Sequence, residues 1–361
     1  MVETDASDIY FTVGVPPAFR VEGIVTPYGD KVLTPEDTEN FAYALMNDRQ
    51  KKKFEEEMEM NLAIYRPEYG RFRVNIFRQK SFVGVVIRQI KLTIKTIDDW
   101  GLPAVMKDIC MSKRGLVLVV GATGSGKSTT LAALIDYRNS NQPGHIITIE
   151  DPIEFVHQHK MSVVTQREVG FDTLSFYNAL KNTLRQAPDV ILIGEIRDAE
   201  TMEDAITFAE TGHLCLATLH ANNANQAIER ILNFFPIERH LQIYMQLSLN
   251  LRAIISQRLV PTVEGKRAAL IEILLDSPRV KDLILKGEIT MLKETMAESY
   301  FEGMQTFDQH IFDMYQAGIL DVNNAIAYAD SPNDVRLKIK MSEMKPGDSK
   351  EKSQSGLKLK L

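Results

Sequence analysis

Four nearly continuous apolar runs of strand length recur in the middle of the chain. They are Leu116–Val120, His145–Ile149, Asp189–Ile193 and Leu214–Leu219, and the segments between them show apolar residues at helical spacing. Apolar runs without alternation are typical of strands that are buried on both faces. Strands of this kind that alternate with helices predict an α/β fold, in which helices cover both faces of a mostly parallel sheet.

The first part of the chain has a different pattern, in which β-rich runs are separated by turn residues. These runs are Ile9–Val13, Pro17–Gly23, Arg71–Phe77 and Val83–Arg88. One helix is predicted between them, from a cap at Thr34 to Phe54. Residues 1–97 are therefore expected to form an α+β domain of their own. Residues 98–112 are expected to form a linker with a short helix, which can act as a hinge.

Beyond Ala221 the apolar spacing is mainly helical. One apolar stripe of helical spacing covers Leu241–Leu259, and a single strand is predicted at Ala268–Leu275. We therefore expect a core of strands and helices over 113–275 and a helical region over 276–344. Residues 345–361 consist of Lys, Ser, Gly and acidic residues up to the terminal leucines, so a disordered tail is expected there.

The first of the four apolar runs leads directly into a glycine-rich turn and then into a helical pattern. The turn fits G-x-x-x-x-G-K-[ST] in full, in the strand-to-helix context that supports this motif. Glycines let backbone N–H groups approach phosphate oxygens, and the dipole of the following helix favours the same anion. We expect a nucleoside triphosphate to bind at Gly121, Ala122, Thr123, Gly124, Ser125, Gly126, Lys127, Ser128 and Thr129. Lys127 would bridge the β- and γ-phosphates, and Ser128 would ligate Mg²⁺.

Polar residues follow the other three runs at the point where each run ends. They are Glu150 to Glu154, Gly194 with Glu195, and His220. Ligands of open parallel sheets bind at the carboxyl ends of the strands, so these residues are expected at the same edge as the phosphate loop. A triphosphate with Mg²⁺ needs a partner for the metal and a group that orients the attacking water. Glu195 suits the first role, Glu154 suits the second, and His220 is expected to contact the γ-phosphate.

His213 and His220 bracket the last of the four predicted strands. Seven residues at about 3.3 Å each place their backbones roughly 23 Å apart, which excludes a shared metal ion. His213 lies at the end of the strand away from the phosphate loop, where an interface or structural role is expected.

The composition is that of an ordinary soluble globular protein. The 361 residues are 44 % hydrophobic and 25 % charged, with a net charge of −6, which argues against a general binder of nucleic acid or acidic lipid. The two cysteines, Cys110 and Cys215, are too far apart in sequence for a CxxC metal site and suit a reducing compartment. No long apolar run and no basic-then-apolar leader is present, so we expect a cytoplasmic protein without a membrane span.

A local basic cluster lies between Arg66 and Arg88. It contains Arg66, Arg71, Arg73, Arg78, Lys80 and Arg88 against the single acid Glu68. A solvated strand face and a nucleic-acid surface are both compatible with this pattern.

Several motifs together resemble the secretion ATPases of the type II secretion and type IV pilus systems. These motifs are Ala6–Asp8, Arg71–Asn75, Gly121–Thr130, Thr148–Phe155, Gly194–Asp198, Ala209–His213 and Thr218–His220. Within that superfamily the chain is similar to the twitching-motility retraction branch, the PilT/PilU family, and most similar to its PilU members. The resemblance extends from Ala6 to about Tyr328.

The resemblance implies a homo-hexameric ring that hydrolyses ATP with Mg²⁺ and powers or assists pilus retraction. It implies an N-terminal PAS-like α+β domain that packs on the RecA-like P-loop NTPase domain of the neighbouring subunit, followed by a helical C-terminal part. The implied partners are a PilT-like paralogue and the inner-membrane platform protein of the pilus machine, at whose cytoplasmic face the ring would work. No nucleic acid is implied as a partner.

The resemblance also assigns residues to roles. The acidic box of the family falls on Glu150 to Glu154 and its Walker B motif on Glu195. The histidine box falls on His213 and His220, which adds His213 to the nucleotide-binding residues. Arg71, Arg73 and Arg88 would reach the triphosphate across a subunit interface. This fits the expectation that no arginine in the sequence neighbourhood of the phosphate loop meets the γ-phosphate.

The chain departs from the family pattern in two places. It begins almost at the Ala6–Asp8 motif, before which family members usually carry a helix, so we expect a short N-terminus. PilT-type ATPases read Ala-Ile-Arg-Asn-Leu-Ile where this chain reads Arg279-Val-Lys-Asp-Leu-Ile284. This difference and the basic tail favour the PilU branch and argue against retraction without a paralogue.

Three other functions compete with a retraction motor. An assembly motor of the same systems typically carries a four-cysteine zinc module, which a chain with two cysteines cannot build. A RecA-like nucleic-acid motor is favoured only by the basic cluster. A non-hydrolysing coupling ring is disfavoured because Lys127, Ser128 and the two glutamates are chemically competent.

Overall fold

The computed structural model describes residues 1, 3–4, 6–21, 23–66, 68–90 and 93–343. They separate into two compact units. The first unit comprises Met1–Ile94, Pro152–Gln158 and Gln166–Leu174, and the second comprises Lys95–Asp151, His159–Thr165 and the described residues from Ser175 onward. The two later segments of the first unit are not part of the predicted 1–97 domain. The predicted tail, residues 345–361, lies outside the described residues.

The first unit is built on a six-stranded antiparallel sheet with the strand order β3-β2-β1-β6-β5-β4. Its strands are β1 (Asp8–Phe11), β2 (Ala18–Val21), β3 (Ile24–Pro27), β4 (Glu59–Arg66), β5 (Gly70–Gln79) and β6 (Phe82–Ile90). The helices α1 (Pro35–Leu45) and α2 (Asp48–Glu57) pack against β6 and β4 and bury Phe54 over Ile76 and Val85. The sequence-based prediction missed β4, although Met60 and Leu62 alternate with exposed residues there.

The single helix predicted from Thr34 to Phe54 is wrong, because the segment forms two helices. A capping box between Thr34 and Asp37 starts α1. A second capping box, between Asn47 and Gln50, starts α2. Each box satisfies N–H groups at the start of a new helix, so the chain turns between them.

The second unit is built on a seven-stranded sheet with the order β13-β12-β7-β11-β10-β8-β9. Its strands are β7 (Gly115–Val120), β8 (Gly144–Glu150), β9 (Ser162–Glu168), β10 (Val190–Ile193), β11 (Leu214–Leu219), β12 (Leu251–Pro261) and β13 (Arg267–Leu275), and β9 from Gln166 onward is assigned to the first unit. β12, β7, β11, β10 and β8 are parallel neighbours, and β13 is antiparallel to β12. The predicted mostly parallel sheet is therefore confirmed.

Helices surround this sheet and continue to the end of the described chain. They are α3 (Val105–Cys110), α4 (Lys127–Asn141), α5 (Phe176–Thr183), α6 (Ala199–Glu210), α7 (Ala224–Leu232), α8 (His240–Asn250), α9 (Pro278–Lys286), α10 (Leu292–Glu298), α11 (Phe307–Gln316), α12 (Val322–Ala327) and α13 (Pro332–Glu343). Leu134 of α4 is buried in the main core with Val119 and Leu216. Phe307 and Val335 belong to a separate core under the last helices. Among the described residues, no helix is long and apolar enough to cross a membrane.

The helical stripe predicted for Leu241–Leu259 is also wrong in its second half. The helix α8 ends at Asn250, and the chain continues as β12 between β7 and β13. Most residues of β12 are buried irrespective of face. An apolar run of this kind fits a helix and a doubly buried strand equally well, so its periodicity could not separate them.

Candidate functional site

The phosphate loop joins β7 to α4, and its shape requires glycine at three positions. The backbone φ angles of Gly124 and Gly126 are +77° and +91°, a region that side chains disfavour. A Cβ atom on Gly121 would collide with the Ser125 hydroxyl and lie 2.5 Å from the Gln257 carbonyl oxygen. The loop leads into the N-terminus of α4, a helix of 15 residues. Helix N-termini of this kind bind anions.

Lys127 is the first residue of α4, and its ammonium group folds back over the loop. Its Nζ donates to the carbonyl oxygens of Gly121 at 2.7 Å and Ala122 at 3.0 Å. Burial lowers the pKa of Lys127, and the negative charge of Glu195 opposes that shift. The buried Ser125 hydroxyl has no hydrogen-bond partner in the described part of the chain. Phosphate oxygens would offer acceptors to both groups, so the loop fits a nucleotide.

Glu195 follows β10 and is the centre of a polar network at the carboxyl edge of the sheet. Its carboxylate accepts from Arg197 Nε at 2.6 Å and lies 2.7 Å from His220 Nε2. Arg197 also contacts Asp151, with Nη1 3.3 Å from Oδ2. The hydrogen bond to Glu195 raises the pKa of Arg197. The structure thus brings Glu195 and His220 together where β10 and β11 end.

The residues predicted to hold Mg²⁺ are oxygen donors, the type that this ion prefers. Ser128 is exposed on the first turn of α4. Glu195 is close enough to influence the charge of Lys127, the neighbour of Ser128 in the chain. One hydroxyl and one carboxylate suit Mg²⁺ that is also held by phosphate oxygens and water.

Two cavities open beside the phosphate loop. One, of about 480 Å³, is bounded by loop residues together with His220, Asn222 and Arg230. The other, of about 850 Å³, is bounded by loop residues together with Arg258 and Lys293. Both volumes lie within the roughly 300–1,000 Å³ that small-molecule sites occupy.

Three predicted catalytic residues, Glu154, Arg71 and Arg88, belong to the first unit. Arg88 Nε donates to Asp8 Oδ1 at 2.8 Å, and this bond raises the pKa of Arg88, with a smaller contribution from the charge of Glu154. Arg71 Nη2 donates to Glu168 Oε2 at 3.0 Å. Both arginines therefore have carboxylate partners inside their own unit.

His213 lies at the amino end of β11, and His220 follows its carboxyl end. The Nδ1 atom of His213 lies 3.0 Å from Thr211 Oγ1 and 3.2 Å from the carbonyl oxygen of Phe208. Its own carbonyl accepts from the N–H of Gly115, where β7 begins. The phosphate loop follows the other end of β7. The expected contact of His213 with the nucleotide is therefore not formed within one chain, because the full length of the sheet strands lies between them.

The family model described as "Type II/IV secretion system protein" matches residues 2–305. This match covers the phosphate loop, the Glu195 network and most of both units. The chain belongs to this secretion-system family.

Two curated relatives within the secretion-system family match almost end to end. The type IV pilus ATPase PilU of Pseudomonas aeruginosa is 54 % identical over 100 % of this chain and 95 % of its own length. The type IV pilus retraction ATPase PilT of the same organism is 41 % identical over 91 % of this chain and 96 % of its own. Among solved structures, the pilus retraction motor PilT with bound ADP superposes with a TM-score of 0.87 at 41 % identity, covering 93 % of this chain and 96 % of that one.

The sequence-based site of this secretion-family chain missed Arg197 and Glu168. Arg197 contacts Glu195 at the carboxyl edge of the sheet, about 70 positions beyond the phosphate loop in sequence, so the expectation that no arginine near the loop in sequence meets the γ-phosphate stays a prediction. Arg197 could have been predicted from the sequence, because it is a basic residue two positions after Glu195, beyond the end of the same predicted strand. Glu168 could not be found in this way, because its partner Arg71 is 97 positions away in sequence.

Proposed function

We propose that this protein is an ATP-hydrolysing motor that powers or assists type IV pilus retraction, with a role like that of PilU. The observation that carries the proposal is the complete phosphate loop, with Lys127 and Glu195 at one sheet edge, in a chain that is 54 % identical to PilU over its whole length. The bound ADP in the similar PilT structure supports nucleotide binding by this chain.

In the proposed site, each residue performs a task that its chemistry allows. Lys127 holds the β- and γ-phosphates, and Ser128 and Glu195 hold Mg²⁺. When bound, Mg²⁺ neutralises charge that develops on the phosphate oxygens. Glu154 orients the attacking water, and His220 links the Glu195 network to the γ-phosphate end of the site.

The proposed working form is a homo-hexameric ring in the cytoplasm, at the inner-membrane face of the pilus machine. In this proposal the first unit is the PAS-like domain and the second is the RecA-like domain with its helical C-terminal part. Arg88 completes the site of a neighbouring subunit, a role that the family resemblance implied for Arg71 and Arg73 as well. A PilT-like paralogue and the platform protein are the proposed partners.

A nucleic-acid motor gains little support from the basic cluster once the contacts are known. Arg71 is paired with the buried Glu168, and the guanidinium of Arg78 lies 5.5 Å from the ring centroid of Phe54. Cations that already have intramolecular partners contribute less to phosphate binding, because those partners compete with the phosphates.

ATP turnover by the purified ring, alone and with a retraction paralogue, tests the proposal. Lys127→Ala removes the charge that spans the phosphates, so turnover should fall to the assay background while the circular dichroism spectrum is unchanged. Lys266→Ala, which removes a lysine exposed at 79 % and remote from the loop motif in sequence, is the matched control and should turn over normally. Unchanged turnover in Lys127→Ala would remove the phosphate-loop assignment.

A further inference from the structure

The segment Pro152–Gln158, which carries Glu154, is hydrogen-bonded to the end of β9 by side chains that have no role in the proposed reaction. Gln166 Oε1 accepts from the N–H of His157 at 2.7 Å, and Gln166 Nε2 donates to the carbonyl of Phe155 at 2.9 Å. Two residues further along β9, Glu168 Oε2 accepts from the N–H of Ile153 at 3.4 Å. Residues two apart on a strand share a face, so Gln166 and Glu168 hold the same segment from one side.

Glu168 is itself fixed in position by its backbone. Its N–H donates to Asp172 Oδ2 at 2.9 Å, and its carbonyl accepts from the N–H of Asp172 at 2.8 Å. Gly170, with φ of +86°, permits this tight turn. The Glu168 carboxylate therefore stands at the start of a closed turn, and its residue is only 1 % exposed.

Arg71 connects this carboxylate to the sheet of the first unit. It lies on β5, where it is in register with Tyr65 of β4 and Ile90 of β6. Its side chain is 22 % exposed and that of Glu168 is 1 % exposed, so the pair is largely shielded from water. A shielded charge-assisted hydrogen bond is stronger and more directional than an exposed one. The segment that carries Glu154 is thus anchored through Glu168 and Arg71 to a hydrogen-bonded strand.

We propose that Arg71 and Glu168 are positioning residues that hold the Pro152–Gln158 segment and thereby aim Glu154. This rests on the proposed role of Glu154 in orienting water. It gives Arg71 a task inside its own subunit, which leaves Arg88, with a side chain that is 63 % exposed, as the arginine available to a neighbour.

Amide hydrogen exchange in the intact ring tests the anchor without reference to activity. Glu168→Ala removes both acceptor contacts, so the amides of residues 153–158 should exchange about tenfold faster or more. Glu168→Gln keeps an acceptor of the same shape but loses the charge, so its exchange rate should lie between those of the wild type and Glu168→Ala. Glu57→Gln, in an exposed ion pair of the same unit, is the matched control. Unchanged exchange in Glu168→Ala would overturn the proposal.

Kinetics test whether the anchor serves catalysis. Misplacing a catalytic group by about 1 Å can cost on the order of 100-fold, so Arg71→Ala and Glu168→Ala should lower kcat by about 10- to 100-fold, with the KM for ATP nearly unchanged. Glu168→Gln, which keeps the acceptor but loses the charge, should lower kcat less than Glu168→Ala does. A rise in KM with normal kcat would mean that the pair supports nucleotide binding instead, and would overturn the positioning role.

Coupling to Glu154 separates this inference from the proposed function. If Arg71 acts through Glu154, then Arg71→Ala should cause no further loss in a Glu154→Gln background, measured under single-turnover conditions. A further loss as large as in the wild-type background would show that Arg71 acts independently, and would overturn the inference. Full turnover of Glu154→Gln alone would refute the assigned role of Glu154, whereas the exchange measurement would still decide whether the pair holds the segment.

Discussion

The two proposed catalytic glutamates differ in their surroundings more than their residue type suggests. Glu195 is 19 % exposed in its side chain and is in contact with Arg197 and His220. Glu154 belongs to the first unit, where its negative charge contributes to raising the pKa of Arg88. A carboxylate held by two basic partners is suited to a fixed electrostatic task, whereas one outside that network can act on water.

Exchanging each glutamate for glutamine should therefore give two different phenotypes. Glu154→Gln keeps its shape but loses the charge that orients water, so ATP should bind normally while turnover falls by about 100-fold or more. Glu195→Gln should weaken Mg·ATP binding. Equilibrium binding of a fluorescent ATP analogue and steady-state turnover are the two measurements. Weakened binding in Glu154→Gln and normal binding in Glu195→Gln would show that the roles are reversed.

Asp204 on α6 gives a prediction of pH-dependent stability. Burial raises its pKa from 3.8 to about 6, and the nearby charges of Glu200, Glu203 and Asp198 add to the shift. The folded state therefore keeps a proton that the unfolded state releases between about pH 4 and pH 6, so raising the pH through this window destabilises the fold.

Asp204→Asn removes this penalty. Because the group is partly exposed, we expect a gain of about 1–2 kcal/mol in the free energy of unfolding at pH 7.5. The gain should be smaller at pH 4.5, where the wild-type carboxyl is protonated in the fold. Urea unfolding followed by circular dichroism at both pH values measures the difference. An equal gain at the two pH values would contradict the ionisation argument.

At the scale of elements, the sequence was sufficient wherever a single periodicity dominated. The strands β7, β10 and β11 are buried throughout, β8 is buried over its four central residues, and the glycine motif after β7 fixed the position of the phosphate loop. The sequence was insufficient where capping or burial overrode periodicity. The cap at Asn47 divided one predicted helix, and the doubly buried β12 was indistinguishable from a helix.

The glycines of the phosphate loop give a prediction at this scale, because they separate two physical requirements. The Cβ atom of an alanine at Gly124 would meet nothing within 4 Å, so only the left-handed backbone conformation disfavours Gly124→Ala. We expect a loss of about 1 kcal/mol in the free energy of unfolding. An alanine at Gly121 would lie 2.5 Å from the backbone carbonyl oxygen of Gln257, so β7 and β12 would have to separate. Overpacking of this kind should make Gly121→Ala the worse variant, by about 1–3 kcal/mol relative to Gly124→Ala. Thermal unfolding measures the order, and equal midpoints would contradict it.

For the whole molecule, the division into units could not be derived from sequence order. Residues 152–158 and 166–174 lie in sequence between strands of the second unit, yet they are assigned to the first. The contacts responsible, such as Arg71 with Glu168, join positions 97 residues apart. Local patterns carry no information about pairs at that separation. Because of this discontinuity, Glu154 and Glu195 belong to different units.

Completion of the site by a neighbouring subunit is the prediction that belongs to the assembled ring. Lys127 and Arg88 are on different units, and an arginine supplied across an interface can be worth about 10³-fold or more in rate. Lys127→Ala and Arg88→Ala rings should each be inactive. Mixed rings should recover some turnover, because they contain junctions at which an intact loop faces an intact Arg88. Native mass spectrometry identifies the mixed rings, and turnover is measured across the mixing ratio.

Arg197 supplies the control that makes this test decisive. It lies in the second unit, at the same sheet edge as Lys127. In a ring that mixes Arg197→Ala and Lys127→Ala subunits, each subunit therefore carries one of the two defects in its own second unit, and turnover should not recover. Titrating Lys127→Ala subunits into wild-type rings shows whether the sites hydrolyse ATP independently of one another. If they do, turnover falls in proportion to the fraction of inactive subunits. If the sites act independently and mixed rings of Arg88→Ala and Lys127→Ala subunits remain inactive at every ratio, Arg88 does not act across the interface. Its exposed guanidinium would then serve its own subunit, beside Asp8 and within reach of the charge of Glu154.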